Sequence, residues 1–209
     1  MSLKPKTLIT AHAGAEGTVP NTLESIRALA ECGAEMIEVD VRGQDGQLIL
    51  THNEPEPGVR YPTLEDCFRE VLLHEGLKVN VDLKAPGLVR AAAELAARCG
   101  FEGRYLITGS VSDPEIPWAL AQGVTVWYNE EQLSDRAHPF AGLSEKGFSV
   151  LNMDYARVTE ELLAQSPERL SLWTVSEEQA IARFLRAGVK NITSRTPRLA
   201  LRLRKEIQG

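Results

Sequence analysis

The sequence predicts an α/β fold: a (β/α)8 TIM barrel with an extra antiparallel hairpin strand after the second barrel strand. Short apolar or β-branched runs alternate with helical periods along all 209 residues. Repeated strand–helix units of that kind build a parallel sheet with helical crossovers. Nine runs read as strands, but one junction leaves only residues 43–47 between Arg42 and Leu48. A parallel connection needs about a dozen residues or more, so Leu48–His52 must return antiparallel. Eight parallel strands remain, at a length near the lower bound of about 200 residues for such a barrel.

The elements follow in order. Thr7–His12 is the first strand. Asn21 reads as the N-cap of a helix carrying Leu23, Ile26, Leu29 and Ala30, with Glu24 at the capping-box position. Met36–Arg42 is the second strand, and Asp45-Gly46 signals the tight turn into Leu48–His52, because Gly accepts positive φ. Pro62 and Thr63 open the helix Leu64–His74. Lys78–Lys84 is a strand, after which Pro86 opens Gly87–Cys99 and Gly100 stops it. Arg104–Ser110, Val124–Tyr128 and Ser149–Asp154 are strands, and Thr159 starts a short helix. Leu170–Val175 precedes a helix, Glu177–Ala187, that ends at Gly188. Val189–Thr193 is the last strand, and Pro197 opens a terminal helix reaching about Ile207. Residues 1–209 read as one domain.

Composition narrows the function classes. With 23 Lys+Arg against 29 Asp+Glu the net charge is −6. That balance excludes non-specific nucleic-acid binding, which needs a basic face to displace counterions, and an electrostatic hold on an anionic membrane. No apolar run approaches the roughly 18–20 residues that span a bilayer, and Met1–Lys6 shows no signal-peptide core. The three cysteines, Cys32, Cys67 and Cys99, fall in helical patterns without a CxxC spacing. They read as small apolar residues of a cytoplasmic protein.

The strands carry polar residues where a barrel interior is normally apolar. Side chains alternate across a strand. In Met36–Val41 the apolar face, Ile37, Val39 and Val41, must meet the helices, which turns Glu38 and Asp40 inward. The next strand repeats the pattern, with Val79, Val81 and Leu83 outward and Asn80, Asp82 and Lys84 inward. Three carboxylates aimed at one small volume repel each other and are costly to bury. A single divalent cation relieves that cost, and an all-oxygen set, Glu38, Asp40 and Asp82, favours Mg2+ or Ca2+ over Zn2+. His12 ends the first strand at the same rim. Counting back from the Asp45-Gly46 turn sets His52 level with Val39 or Asp40, beside the acids. Two histidines flanking such a site suit general acid–base chemistry. His74 and His138 read as structural.

These residues resemble the glycerophosphodiester phosphodiesterase family. The matching segments are His12-Ala13-Gly14, Val19-Pro20-Asn21-Thr22, Glu38-Val39-Asp40, Asp45-Gly46, His52-Asn53, Asp82-Leu83-Lys84, Trp173-Thr174-Val175 and Gly188–Thr193. They run in the family's order along nearly the whole chain. The resemblance implies a (β/α)8 barrel that hydrolyses a phosphodiester with a metal ion, most simply a glycerophosphodiester to glycerol 3-phosphate and an alcohol. It implies Glu38, Asp40 and Asp82 as cation ligands, His12 and His52 as the acid–base pair, and Lys84 as a phosphate contact. Asn152 and Trp173 are further candidates for substrate binding.

The departures are specific. Ala13 stands where the family has a phosphate-binding arginine, Pro20 replaces a glutamate and Asn53 an aspartate. Asp82 is one methylene shorter than the usual glutamate, and the family's insertion after the second histidine is reduced to Asn53–Pro62. Arg42, two residues beyond Asp40 on the same face, is the expected replacement for the missing arginine. The lost arginine and glutamate also motivate an alternative: a non-catalytic barrel that binds phosphodiesters or phosphorylated metabolites. A Schiff-base role for Lys84 requires a lowered pKa, which the neighbouring carboxylates oppose.

Overall fold

The structure is a computed structural model and describes residues 6–209; the expectation for the chain's first residues lies, up to residue 5, outside them. The barrel strands are β1 (Leu8–Ala11), β2 (Met36–Gln44), β4 (Lys78–Leu83), β5 (Tyr105–Gly109), β6 (Trp127–Asn129), β7 (Val150–Asp154), β8 (Leu170–Trp173) and β9 (Asn191–Ser194). They pair in parallel in the order β5-β4-β2-β1-β9-β8-β7-β6. A parallel bridge, Ile107 to Val126, and the Ile107 N–H donating to the Thr125 carbonyl at 2.9 Å close the ring between β5 and β6. Chain order and spatial order therefore coincide around the barrel, as short right-handed βα crossovers produce.

The extra strand β3 (Gln47–Leu50) runs antiparallel to β2 with Gly43 opposite Leu48. Asp45 (φ 50) and Gly46 (φ 78) both lie in the left-handed region, the backbone of a two-residue hairpin turn whose twist matches the strands. The Leu50 N–H donates to the Pro62 carbonyl at 2.8 Å, which ties the return strand to the start of α2 (Leu64–Leu72). Residues 53–62 are thereby a short strap rather than a separate lobe.

Side-chain caps mark where three of the eight helices among the described residues begin. Thr63 and Asp66 form a reciprocal capping box on α2. The first helix, α1 (Leu23–Ala30), is capped by Thr22, whose side chain accepts from the Ser25 N–H. This corrects the expectation for Asn21, which turns into the barrel instead. The next helix, α3 (Val89–Arg98), starts two residues later than Pro86 suggests; the Glu115 carboxylate accepts from the N–H groups of Gly87 at 3.0 Å and Val89 at 2.9 Å. Two further helices, α4 (Ile116–Ala121) and α5 (Pro139–Glu145), are short and carried no clear sequence period. Then come α6 (Glu160–Gln165), α7 (Glu178–Ala187) and α8 (Pro197–Gln208).

The barrel wall divides by strand parity. Ile37, Val39, Val41, Val79, Val81 and Leu83 face the helices and are buried. Inside, Met36, Leu106, Trp127 and Val150 form a separate apolar plug at the N-terminal end of the strands. Above the plug the interior becomes polar. Thr10 donates to Asn191 Oδ1 at 2.8 Å, Asn191 Nδ2 to Ser171 Oγ at 3.1 Å, Ser171 Oγ to Asn152 Oδ1 at 2.9 Å, and Asn152 Nδ2 to Asn129 Oδ1 at 2.8 Å. This belt of buried side chains crosses β1, β9, β8, β7 and β6 and satisfies its own hydrogen-bonding groups, as burial requires. The plug and belt form the floor of the cavity above them. Among the cysteines, Cys67 is fully buried, while Cys32 and Cys99 are half-buried. No helix among the described residues is long and apolar enough to cross a membrane.

Candidate active site

A cavity of about 940 Å³ opens at the C-terminal ends of the strands, the face where barrels of this kind carry their chemistry. Seven of the nine side chains singled out in the sequence come to it from β2, β4, β7, β8 and the loops after β1 and β3, and Lys84 joins them one residue beyond β4. The ninth, Arg42, does not line it. β2 continues past the barrel rim into the hairpin, and Arg42 goes with it. Its Nε donates to the His52 carbonyl at 3.0 Å and its guanidinium pairs with Glu54. The expectation that Arg42 replaces the missing arginine is therefore corrected. Strand parity put it on the right face, but the barrel ends before it.

Register makes the acidic cluster. Asp40 of β2 lies directly beside Asp82 of β4, and Glu38 beside Asn80. Carboxylate oxygens of Glu38, Asp40 and Asp82 all lie within 4.8 Å of one another. Glu38 accepts from the Ala13 N–H at 2.9 Å. Burial, with Asp40 and Asp82 beside it, pushes the Glu38 carboxyl well above the usual carboxylate range. Lys84 Nζ sits 2.8 Å from Asp40 and also pairs with Asp82. Burial opposes the lysine charge, but Asp82 and Asp40 outweigh it and hold the ammonium above the ordinary lysine value. Those carboxylates oppose the lowered pKa that Schiff-base chemistry needs. Burial likewise opposes ionisation of Asp40, yet Lys84 and Asn21 outweigh it and keep this carboxyl below its usual value.

Asn21 was not foreseen as part of the site. Its φ of 59 is left-handed, a conformation Asn tolerates better than most residues. The turn aims its amide at Asp40. Asn129 and Arg195 were also missed. Asn129 ends β6 one residue past the expected strand, and Arg195 follows β9 immediately; both line the cavity. The signal available for each was its place at the C-terminal end of a barrel strand.

The histidines stand on either side of the acids. The Nδ1–H of His12 donates to the Ala13 carbonyl at 2.5 Å, and its Nε2 lies 4.0 Å from Glu38. Burial lowers the His12 pKa against the Ala13 hydrogen bond, with help from the positive charge of Arg195, and that hydrogen bond places a proton on Nδ1 and turns Nε2 toward the acids. The Thr51 N–H donates to the Asp40 carbonyl at 3.0 Å, which sets His52 opposite Val39, within the predicted register. Its Nδ1 is 3.2 Å from Asp40 Oδ1. The His52 side chain is 67% exposed against 23% for His12, so one ring is sheltered and the other faces solvent.

Asn152 and Trp173 both line the cavity. The Asn152 amide is taken up by the belt, bonded to Asn129 and Ser171. Among the described residues, Trp173 keeps a buried indole N–H without a protein acceptor, and Gln132 Oε1 is likewise buried without a donor. Both residues belong to the lining, and a buried polar atom without a protein partner in a cavity wall points to a ligand group or water.

No protein-family model matches the chain. A curated protein from Caldanaerobacter subterraneus subsp. tengcongensis, a glycerophosphodiester phosphodiesterase, is 24% identical over 252 aligned residues, covering 95% of this chain and 98% of that protein. The aligned length exceeds the 209 residues here, so that relative carries segments without a counterpart in this chain. A solved glycerophosphodiester phosphodiesterase from Parabacteroides distasonis superposes with a TM-score of 0.79 at 20% identity, over 97% of this chain and 98% of that one. An Oleispira antarctica phosphodiesterase, solved with its product sn-glycerol-3-phosphate, gives a TM-score of 0.76 at 17% identity, over 97% of each chain. The resemblance thus extends over nearly the full chain, and the (β/α)8 fold is shared.

Proposed function

We propose that the protein is a metal-dependent phosphodiesterase that hydrolyses a glycerophosphodiester to glycerol 3-phosphate and an alcohol. The observation that carries this reading is the convergence of three carboxylates within 4.8 Å of one another and two histidines on one barrel mouth. The similar proteins of the same fold support it.

The donor set fits a hard divalent cation, Mg2+ or Ca2+. It is all oxygen, and a cation offsets the burial and the like-charge repulsion that together push Glu38 up. Glu38, Asp40 and Asp82 would hold it, and when bound it would draw charge from a non-bridging phosphate oxygen. The chain's own groups divide the proton work. With Nδ1–H held by the Ala13 carbonyl, His12 offers Nε2 to take the proton from an attacking water as its oxygen bonds to phosphorus; where a substrate hydroxyl attacks instead, the product is a cyclic phosphate that a water then opens to the monoester. The phosphorus–alkoxide bond breaks, and His52 delivers a proton from Nε2 to the leaving oxygen. Its exposed position suits the side from which an alcohol departs. Lys84 keeps Asp40 and Asp82 in place and brings positive charge to the phosphate. The three unpaired cysteines fit a reducing cytoplasm.

His12→Ala and His52→Ala test the mechanism. Each should abolish glycerophosphodiester hydrolysis, while divalent-cation binding measured by calorimetry persists. Near-normal turnover in either variant overturns it. Binding of a phosphodiester without turnover under every divalent cation would favour the non-catalytic barrel, the alternative that Ala13 and Pro20 motivate.

A further inference from the structure

The positive charges at the cavity mouth are unequally committed. Lys84 is shared between Asp40 and Asp82. Arg136 lies 4.0 Å from the buried Glu130 and donates to the Glu131 carbonyl. Arg195 also lines the cavity, yet among the described residues its guanidinium has no ion pair or hydrogen bond. Its backbone, by contrast, is pinned. The Arg195 N–H donates to Ser176 Oγ at 3.1 Å, and its carbonyl accepts from the Glu16 N–H at 2.9 Å. The carbonyl of Ser194 next to it accepts from the His12 N–H, also at 2.9 Å. Among the described residues an unpaired cation therefore projects from a fixed point on the His12 side of the mouth.

Charge balance bears on its role. Histidines apart, three carboxylates, one ammonium and one divalent cation sum to zero. A phosphodiester arrives as an anion. Ala13 cannot meet it: its side chain is a buried methyl, and its N–H is spent on Glu38. Arg42 is directed away to Glu54.

We propose that Arg195 is the phosphate-binding cation of this site, its guanidinium receiving two non-bridging oxygens of the phosphoryl group of a diester substrate or of the monoester product. The planar fork of a guanidinium matches that geometry. The proposal rests on the phosphodiesterase reading for its substrate, and its test keeps the two apart.

Arg195→Ala and Arg195→Lys should be compared with wild type in two measurements: kinetics with a glycerophosphodiester, and calorimetric binding of sn-glycerol 3-phosphate to the divalent-loaded protein. Loss of one charge-assisted contact corresponds to about 10- to 100-fold. Arg195→Ala should raise KM and the product Kd by that factor with a smaller change in kcat. Arg195→Lys should recover part of it. Divalent affinity without phosphate and Tm should stay at wild-type values, which a merely structural role would not predict. KM and product Kd within twofold of wild type overturn the proposal. If wild type hydrolyses no phosphodiester, the activity reading fails, and the product Kd alone decides Arg195. If wild type binds no phosphate ester either, both fall.

Discussion

Asn21 and Asp40 are joined by two reciprocal hydrogen bonds: Asn21 Nδ2 donates to Asp40 Oδ2 at 2.8 Å, and Asn21 Oδ1 accepts from the Asp40 N–H at 3.0 Å. The pair fixes both the backbone and the carboxylate of a proposed cation ligand. Partners of this kind are worth about 10–100-fold in metal affinity. Asn21→Gly retains the positive φ and removes the amide. It should weaken divalent binding by about that factor, measured by calorimetry, and lower stability by about 1–3 kcal/mol through the orphaned Asp40 N–H. Unchanged divalent affinity would show that Asp40 needs no such support.

Gly109 ends β5 against the carboxyl end of β4. A Cβ there would lie 2.2 Å from the Leu83 carbonyl oxygen and 2.5 Å from Asp82 Oδ1, at a φ of +82. Gly109→Ala should displace Asp82 as well as strain the backbone. Both the urea midpoint and the divalent affinity should fall. A variant of normal stability and normal divalent affinity would contradict that close approach.

Asn191 is the centre of the polar belt. Its amide contacts Thr10, Ser171 and Thr193, and it is fully buried. Asn191→Ala leaves the hydroxyls of Thr10 and Ser171 short of a partner. Equilibrium urea unfolding should show a loss of about 1–3 kcal/mol. A neutral result would mean that water replaces the amide without cost.

Glu115 links the α3 start to the segment before α4, accepting from Gly87, Val89 and both the N–H and hydroxyl of Ser112. Burial opposes its ionisation, but these donors outweigh it and hold its pKa below the ordinary 4.5. A depressed folded pKa gives stability that is complete above the unfolded value and lost as pH falls through the folded one. Wild type should therefore exceed Glu115→Gln in Tm at pH 7, and the gap should narrow below about pH 4.5. A gap that stays constant down to pH 3 would exclude the ionised carboxylate as its source.

What the sequence alone determined is what strand parity and local turns determine. Alternation by two sends Glu38, Asp40 and Asp82 inward wherever Ile37, Val39 and Val81 must meet helices. The Asp45-Gly46 turn sets the register that brings His52 to Asp40. Both rules act over a few residues, so they survive without knowledge of the neighbours. The tertiary structure decided the rest. Arg42 obeys parity but lies beyond the rim, and the rim is set by where the β2–β3 hairpin leaves the barrel. Asn21 suits an N-cap locally, yet the turn after β1 gives that place to Thr22 and turns Asn21 toward Asp40. Thr10 and Asn191 are 181 residues apart, and only closure of the ring makes them partners in the belt. Arg195 reaches the His12 side of the mouth because β9 returns to β1. Contacts made by closing a barrel depend on strands far apart in the chain, and no local period encodes them.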